Sequence, residues 1–199
     1  MAHRWITRGV VSTAAAAVAV GSMALIGGGV AGAAEGTATW DDYYSHFTRT
    51  ISETSPNPGD TITVTTKFER TNDTPERLYW IKDHHPTCLT YVPGSAKISG
   101  NRGTLDVEPY LEIQPGFVAA DISAGSWTVQ KNPAESPVLT VEYTVGADCS
   151  RGNYLPTGME YNGTLGSGGY ATKGPSISIS YLGGGGTGSL DSLLGGFGS

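Results

Sequence analysis

Charge is scarce in this chain, and cysteine is scarcer. Only 15% of its 199 residues are Asp, Glu, Lys or Arg, and there are two cysteines and four histidines. There is no G-x-S-x-G nucleophile elbow and no H-E-x-x-H zinc helix, so the commonest hydrolase signatures are missing. Leu-Ala helical patterning is thin, and past residue 30 no run is apolar enough to cross a bilayer. The basic residues are too few to coat a phosphate backbone. They number twelve against eighteen acidic ones, a net charge of −6. Such a chain repels nucleic acid.

What is present begins with a targeting pattern. His3, Arg4 and Arg8 form a basic head, residues 9–30 an Ala/Val/Gly-rich apolar run, and Ala31-Gly32-Ala33-Ala34 a small-residue exit before Glu35. This predicts a secretory signal peptide over residues 1–34, cut at Ala33 or Ala34, rather than a retained membrane anchor. Its loss would take the basic count to ten and the net charge to −8. No transmembrane span would remain after cleavage. The product would be secreted, free or held at the cell envelope. The remaining residues suffice for one ordinary core.

Cys88 and Cys149 are the only cysteines. In an exported chain two cysteines most simply form one disulfide. It would close a loop of roughly sixty residues, worth about 4 kcal/mol in the chain-entropy model.

The body of the chain reads as strands. Residues 35–45 are polar and mixed, a loose lead-in, and residues 46–53 are a candidate first strand. From Asp60, the residues Ile62, Val64, Thr66 and Phe68 alternate with Thr61, Thr63, Thr65 and Lys67, a period-2 strand with one buried face. Residues 77–82 set Leu78, Trp80 and Lys82 against Tyr79 and Ile81, with Trp80 as the expected core anchor. Residues 89–92 and 96–98 flank a Pro93-Gly94 turn. After Thr104, Leu105, Val107, Leu111 and Ile113 share one face, and Asp106, Glu108, Tyr110 and Glu112 the other. Residues 116–122, 138–145 and 175–181 follow as further strands. Eight to ten strands at short spacing predict an all-β, antiparallel β-sandwich over residues 46–182. A small barrel is the alternative.

Three motifs occur in fixed order: Pro58-Gly59-Asp60-Thr61, Asp83-His84-His85-Pro86 and Leu89-Thr90-Tyr91-Val92-Pro93-Gly94-Ser95, with Leu139-Thr140-Val141-Glu142-Tyr143-Thr144-Val145 later. In these the chain resembles the immunoglobulin-like surface-repeat domain of unknown function found in many exported bacterial proteins, over about residues 48–181. The resemblance implies an immunoglobulin-like sandwich and supplies no catalytic residues. Tandem copies are common in that family, and one copy is visible here. The Asn-Thr-Gly-type turn of the family is only approximated by Thr71-Asn72-Asp73-Thr74.

The candidate sites are few. Asp83, His84 and His85 form the densest polar cluster and are weak candidates for a metal or a general base. Zinc needs three or four ligands, and adjacent side chains on extended backbone point apart. The plainer expectation is an Asp capping a turn before Pro86 beside two solvated imidazoles. Asp106, Glu108 and Glu112 make a carboxylate row, but alternate strand residues lie about 7 Å apart, so one strand alone cannot cage calcium. Lys67, Lys82 and Lys97 are conceivable donors for an intramolecular Lys–Asn isopeptide bond, with nothing to select one. Leu155-Pro156-Thr157-Gly158 lacks a residue of a cell-wall sorting signal. The run at 183–188 has no strand–loop–helix context for a nucleotide site.

The end of the chain, residues 183–199, is a Gly-rich tail. Leu190, Leu193, Leu194 and Phe197 fall at i, i+3, i+4, i+7, a helical face suited to docking on envelope lipid or a partner protein. The expected function is a non-enzymatic cell-envelope or surface module, structural or adhesive. Its partners would be an envelope component or another surface protein. The alternative is a secreted glycan- or protein-binding domain with an exposed aromatic platform, for which Tyr79, Tyr91, Tyr110, Trp127, Tyr161 and Tyr170 are available. A metal-dependent enzyme ranks third. No cofactor is implied.

Overall fold

The computed structural model describes residues 34–180. The chain runs through fifteen strands: β1 Gly36–Asp42, β2 Ser45–Ile51, β3 Thr61–Arg70, β4 Glu76–His84, β5 Leu89–Tyr91, β6 Lys97–Gly100, β7 Gly103–Asp106, β8 Leu111–Gln114, β9 Phe117–Asp121, β10 Thr128–Val129, β11 Val138–Val145, β12 Tyr154–Leu155, β13 Gly158–Gly163, β14 Gly166–Tyr170 and β15 Ile177–Ser178. Among the described residues there is no α-helix, only three single-turn 3-10 segments.

The strands form an antiparallel β-sandwich, as the alternating pattern predicted. One sheet has the order β1-β2-β3-β11-β6-β7, with β5 also on β11. The other has the order β14-β13-β4-β9-β8, with β10 also on β4. A two-stranded ribbon, β12 with β15, lies beside them. The core forms where inward residues meet. Phe47 and Ile51 of β2, Ile62, Val64 and Phe68 of β3, and Leu139, Val141 and Tyr143 of β11 come from the first sheet. Leu78 and Ile81 of β4, Val118 and Ala120 of β9, and Met159 and Tyr161 of β13 come from the second. Each set alternates with outward residues because successive strand side chains point to opposite faces.

Four expectations are corrected. Residues 35–45 are not a loose lead-in. Gly36–Asp42 is an edge strand paired along its length with β2, from Gly36 opposite Ile51 to Asp42 opposite Ser45. Its Thr-rich alternation hides an inner face on which Trp40 stacks against Phe47, centroids 5.4 Å apart. The sandwich therefore begins ten residues earlier than its expected start at residue 46.

Trp80 is not a core anchor. In the pairing of β4 with β13, Asn162 faces Trp80 and Gly163 faces Leu78, so Tyr79 is an extra residue on β4. This bulge flips the phase of the strand. Glu76 and Leu78 point inward before it, Ile81 and Asp83 after it, and Trp80 is left half-buried. The buried tryptophan is Trp127.

Residues 104–113 are not one strand. β7 belongs to the first sheet and β8 to the second, with a 3-10 turn over Glu108–Tyr110 between them. Pro109 within that turn has no N–H to give to a ladder. Of residues 175–181, expected to be a full strand, the described ones, 175–180, contribute only the two-residue β15 and an isolated bridge at Ile179.

Candidate functional site

The residues singled out from sequence at 83–85 meet a partner that the sequence reading passed over. β2 carries Ser45, Phe47, Arg49 and Ile51 on its inward face. Arg49 is thereby pulled into the core, with 0% of its surface exposed. Asp83, phased inward by the β4 bulge, lies opposite on the other sheet and is 1% exposed. Arg49 Nη1 donates to Asp83 Oδ2 at 2.6 Å and Nη2 to Oδ1 at 3.2 Å. Its remaining donors reach Thr66 Oγ1 at 2.8 Å, Thr157 Oγ1 at 3.3 Å and the His84 carbonyl at 3.4 Å. Tyr143 of β11 donates its hydroxyl to Asp83 Oδ1 at 2.8 Å. Burial, and secondarily the Asp83 charge, push the Tyr143 phenol well above its ordinary pKa of 10.0. The Tyr143 phenol therefore keeps its proton and serves as a donor in this cluster.

This arrangement contradicts both readings of the 83–85 cluster. Asp83 does not cap a turn, and the three side chains do not converge on a metal. Strand alternation sends Asp83 inward, while the His84 imidazole sits outside with Nε2 at 3.2 Å from Glu160 Oε1, within ion-pair distance but off a hydrogen-bond axis. His85 is not solvated. It is buried against the Tyr143 ring, centroids 4.4 Å apart, with Nδ1 2.9 Å from the Pro86 carbonyl. Burial chiefly lowers the His85 pKa below its ordinary 6.5. His46 is occupied with Asp41, 2.7 Å from Nδ1 to Oδ1. Among the described residues no three metal-ligating side chains gather.

The carboxylate row is also dispersed. Asp106 accepts from the Glu108 backbone N–H at 2.8 Å, Glu108 accepts from the Tyr91 hydroxyl, and Glu112 sits on β8 in the other sheet. Lys67 and Lys82 lie by Glu69 and Glu160, at 3.0 and 3.6 Å. No lysine is buried among the described residues, and Lys97 is exposed. The buried cations between the sheets, among the described residues, are Arg49 and Arg70, and a guanidinium is no nucleophile. Thr157, within the Leu155–Gly158 motif, is fully buried and donates to the Pro175 carbonyl at 2.7 Å. The tail positions Leu190, Leu193, Leu194 and Phe197, and the signal segment 1–34 up to residue 33, lie outside the described residues.

Cys88 and Cys149 are joined in a disulfide, with Cα atoms 5.0 Å apart. Cys88 follows the crossover from β4 to β5, and Cys149 follows β11. Gly146 donates its N–H to the Cys88 carbonyl at 2.9 Å. The bridge thus fixes the point where the chain passes from one sheet to the other.

Of the aromatics considered for a platform, Tyr91, Trp127, Tyr161 and Tyr170 are buried. Tyr110 is 52% exposed and stands on the outer face of the second sheet. There Trp80, Lys82, Tyr110, Glu112, Ala119 and Asp121 line a shallow groove of about 290 Å³. Ala119 makes the floor low, and Lys82 Nζ lies 4.5 Å from the centre of the Phe117 ring. Two exposed tyrosines, Tyr43 and Tyr44, were not anticipated because they fall in the stretch read as a lead-in.

No family model matches the sequence, and no curated protein matches it. Among solved structures, the chain is similar to a membrane-anchored protein of Corynebacterium diphtheriae (16% identity, TM-score 0.46, covering 67% of this chain and 36% of that one). It is similar also to the major pilin subunit of Bacillus cereus (14%, TM-score 0.43, 66% and 41%). A third is the collagen-binding domain of a Staphylococcus aureus adhesin (8%, TM-score 0.38, 69% and 96%). The chain spans well under half the length of the first two. These values describe a loose likeness of architecture and assign no activity.

Proposed function

We propose that the chain is an exported, non-enzymatic β-sandwich module of the bacterial cell surface, with a structural or adhesive role. The observation that carries this reading is how the sandwich is locked: the Cys88–Cys149 disulfide beside the paired β5 and β11 of one sheet, and the buried Arg49–Asp83 ion pair between the two sheets. The candidate catalytic groups are consumed by these ties. Asp83, one of the three residues considered for a metal or a general base, is held by a guanidinium and a phenol in the core. The disulfide fits an oxidising, extracytoplasmic setting, in agreement with the leader pattern at residues 1–34.

A second reading, a glycan- or protein-binding domain, is favoured by the groove at Trp80 and Tyr110. Both readings are tested by incubating the purified protein with intact cells and isolated envelopes of the producing bacterium, with and without residues 183–199. Saturable pelleting that needs the tail supports docking through Leu190, Leu193, Leu194 and Phe197. Saturable pelleting without the tail supports a surface role for the sandwich itself. Absence of pelleting overturns the envelope assignment in favour of a freely secreted domain.

A further inference from the structure

At one end of the sandwich the β1–β2 turn and the β13–β14 turn stand on either side of a cleft of about 300 Å³. This is the lower end of the range for small-molecule sites. Tyr43, Tyr44 and Leu165 form its rim. They are 95%, 57% and 52% exposed, an apolar edge that folding does not use. Tyr43 holds a left-handed backbone, φ +50°. That conformation is costly for a bulky residue, and such outliers concentrate at binding sites.

The floor is polar and buried. Arg70 and Glu76 line it, at 8% and 2% exposure. Arg70 Nη1 donates to Glu76 Oε2 at 3.3 Å and to Ser45 Oγ at 2.9 Å. Its Nε donates to the Thr74 carbonyl at 3.2 Å and its Nη2 to Asn72 Oδ1 at 3.3 Å. The second Glu76 oxygen, Oε1, has no hydrogen bond of good geometry. Burial raises the Glu76 pKa above its ordinary 4.5, although the Arg70 charge and the nearby Leu165 backbone N–H oppose the rise. Asp42 and Ser167 complete the wall, Asp42 Oδ2 accepting from the Tyr170 hydroxyl.

The chemistry of this lining selects its occupant. Two carboxylates repel an anion. The guanidinium in the floor opposes a bare cation. A wholly apolar ligand would cover the Asp42 carboxylate and the Ser167 hydroxyl without pairing them. What fits is a neutral molecule with several hydroxyl donors and acceptors and a flat C–H face to lie on tyrosine rings. We propose that this cleft is a saccharide-binding subsite. Tyr43 and Tyr44 present ring faces to the sugar, and Asp42 and the serines exchange hydrogen bonds with its hydroxyls, over the Arg70–Glu76 pair in the floor. This deepens the binding-domain reading by naming the ligand class, but it needs no envelope attachment.

The test is titration of ¹⁵N-labelled protein with glucose, galactose, mannose and N-acetylglucosamine at tens of millimolar, followed by amide shifts. Nα-acetyl-lysine amide serves as the cationic comparison. Saturable shifts confined to residues 42–45 and 165–167, with affinity falling at least tenfold in Tyr43→Ala and Tyr44→Ala, support the subsite. Both residues are exposed, so the melting temperature controls for folding. Absence of saturable shifts with every sugar overturns the proposal, as do shifts unchanged in both tyrosine variants. Shifts seen only with the lysine amide replace the sugar with an amine. Pelleting with envelopes is an independent result. Its failure leaves sugar binding standing, and failure of sugar binding leaves the surface module standing.

Discussion

Arg49 and Asp83 face each other across the sandwich, one from each sheet, bound by two hydrogen bonds of 2.6 and 3.2 Å with both side chains almost wholly out of water. Each removes the other's uncompensated charge, and Thr66, Thr157 and Tyr143 take up the remaining valences. Such a pair is not a large net source of stability, because desolvation consumes most of the Coulomb gain. It does fix which strand residues oppose which, since a one-residue slip of either strand would turn its own charge outward and leave the other bare inside.

Removing one member is therefore worse than removing both. Arg49→Met or Asp83→Leu alone should destabilise by about 3–5 kcal/mol, by leaving a buried charge unpaired. The double variant should recover much of that loss. Urea denaturation of the four proteins in the cycle checks this, and additive losses in the double variant would refute the account.

The disulfide closes a loop with a sequence separation of 61. Cys88→Ala with Cys149→Ala should lower stability by about 4 kcal/mol on the chain-entropy account. A denaturant midpoint unmoved by the substitutions or by dithiothreitol would show that the β5–β11 pairing alone holds that crossover.

His85 supplies a pH dependence with a definite sign. Its pKa in the fold is lowered from 6.5, chiefly by burial, so the unfolded chain binds more protons in that window. The associated stability is present above pH 6.5 and is lost as pH falls through the lower folded value. The denaturant midpoint should decline across this range in the native protein, and the decline should flatten in His85→Gln. Equal slopes in the two proteins would remove His85 from the explanation.

Tyr43 lies at φ +50° with its ring in solvent. Tyr43→Gly should stabilise the fold by about 1 kcal/mol by relieving the left-handed backbone. The same change should abolish sugar binding at the end cleft. Calorimetric melting paired with the amide titration reads both. A loss of stability would mean that the tyrosine is anchored by the fold rather than held for a ligand.

Gly158 opens β13 where the chain passes close to β14. A Cβ there would sit 2.1 Å from the Tyr170 carbonyl oxygen and 2.4 Å from the Ala171 carbonyl carbon. Gly158→Ala should cost about 1–3 kcal/mol through overpacking against backbone. Thermal melting is the direct check, and a melting temperature equal to the parent's would contradict it.

Much of the fold was legible because strands with one wet face write themselves as period-2 patterns. Residues 61–70 are such a case, and inward residues there are ones named from the sequence, Ile62, Val64 and Phe68 among them. Arg49 could have been found by the same rule, since it falls in phase with Phe47 and Ile51. A charged residue is easily assigned to the outside, and only the second sheet supplies the carboxylate that lets it stay in.

By itself the sequence determined the all-β class, the antiparallel alternation and the one possible cysteine pair, because those depend on local period and on a count of two. The tertiary structure alone decided that Tyr79 bulges and turns Trp80 outward, that Asp83 is sealed against Arg49, and that Tyr43 and Tyr44 meet Arg70 and Glu76 at one end. A bulge is fixed by the partner strand's register, and a buried charge is tolerated only where its counter-charge arrives. Both conditions are set by residues distant in the chain.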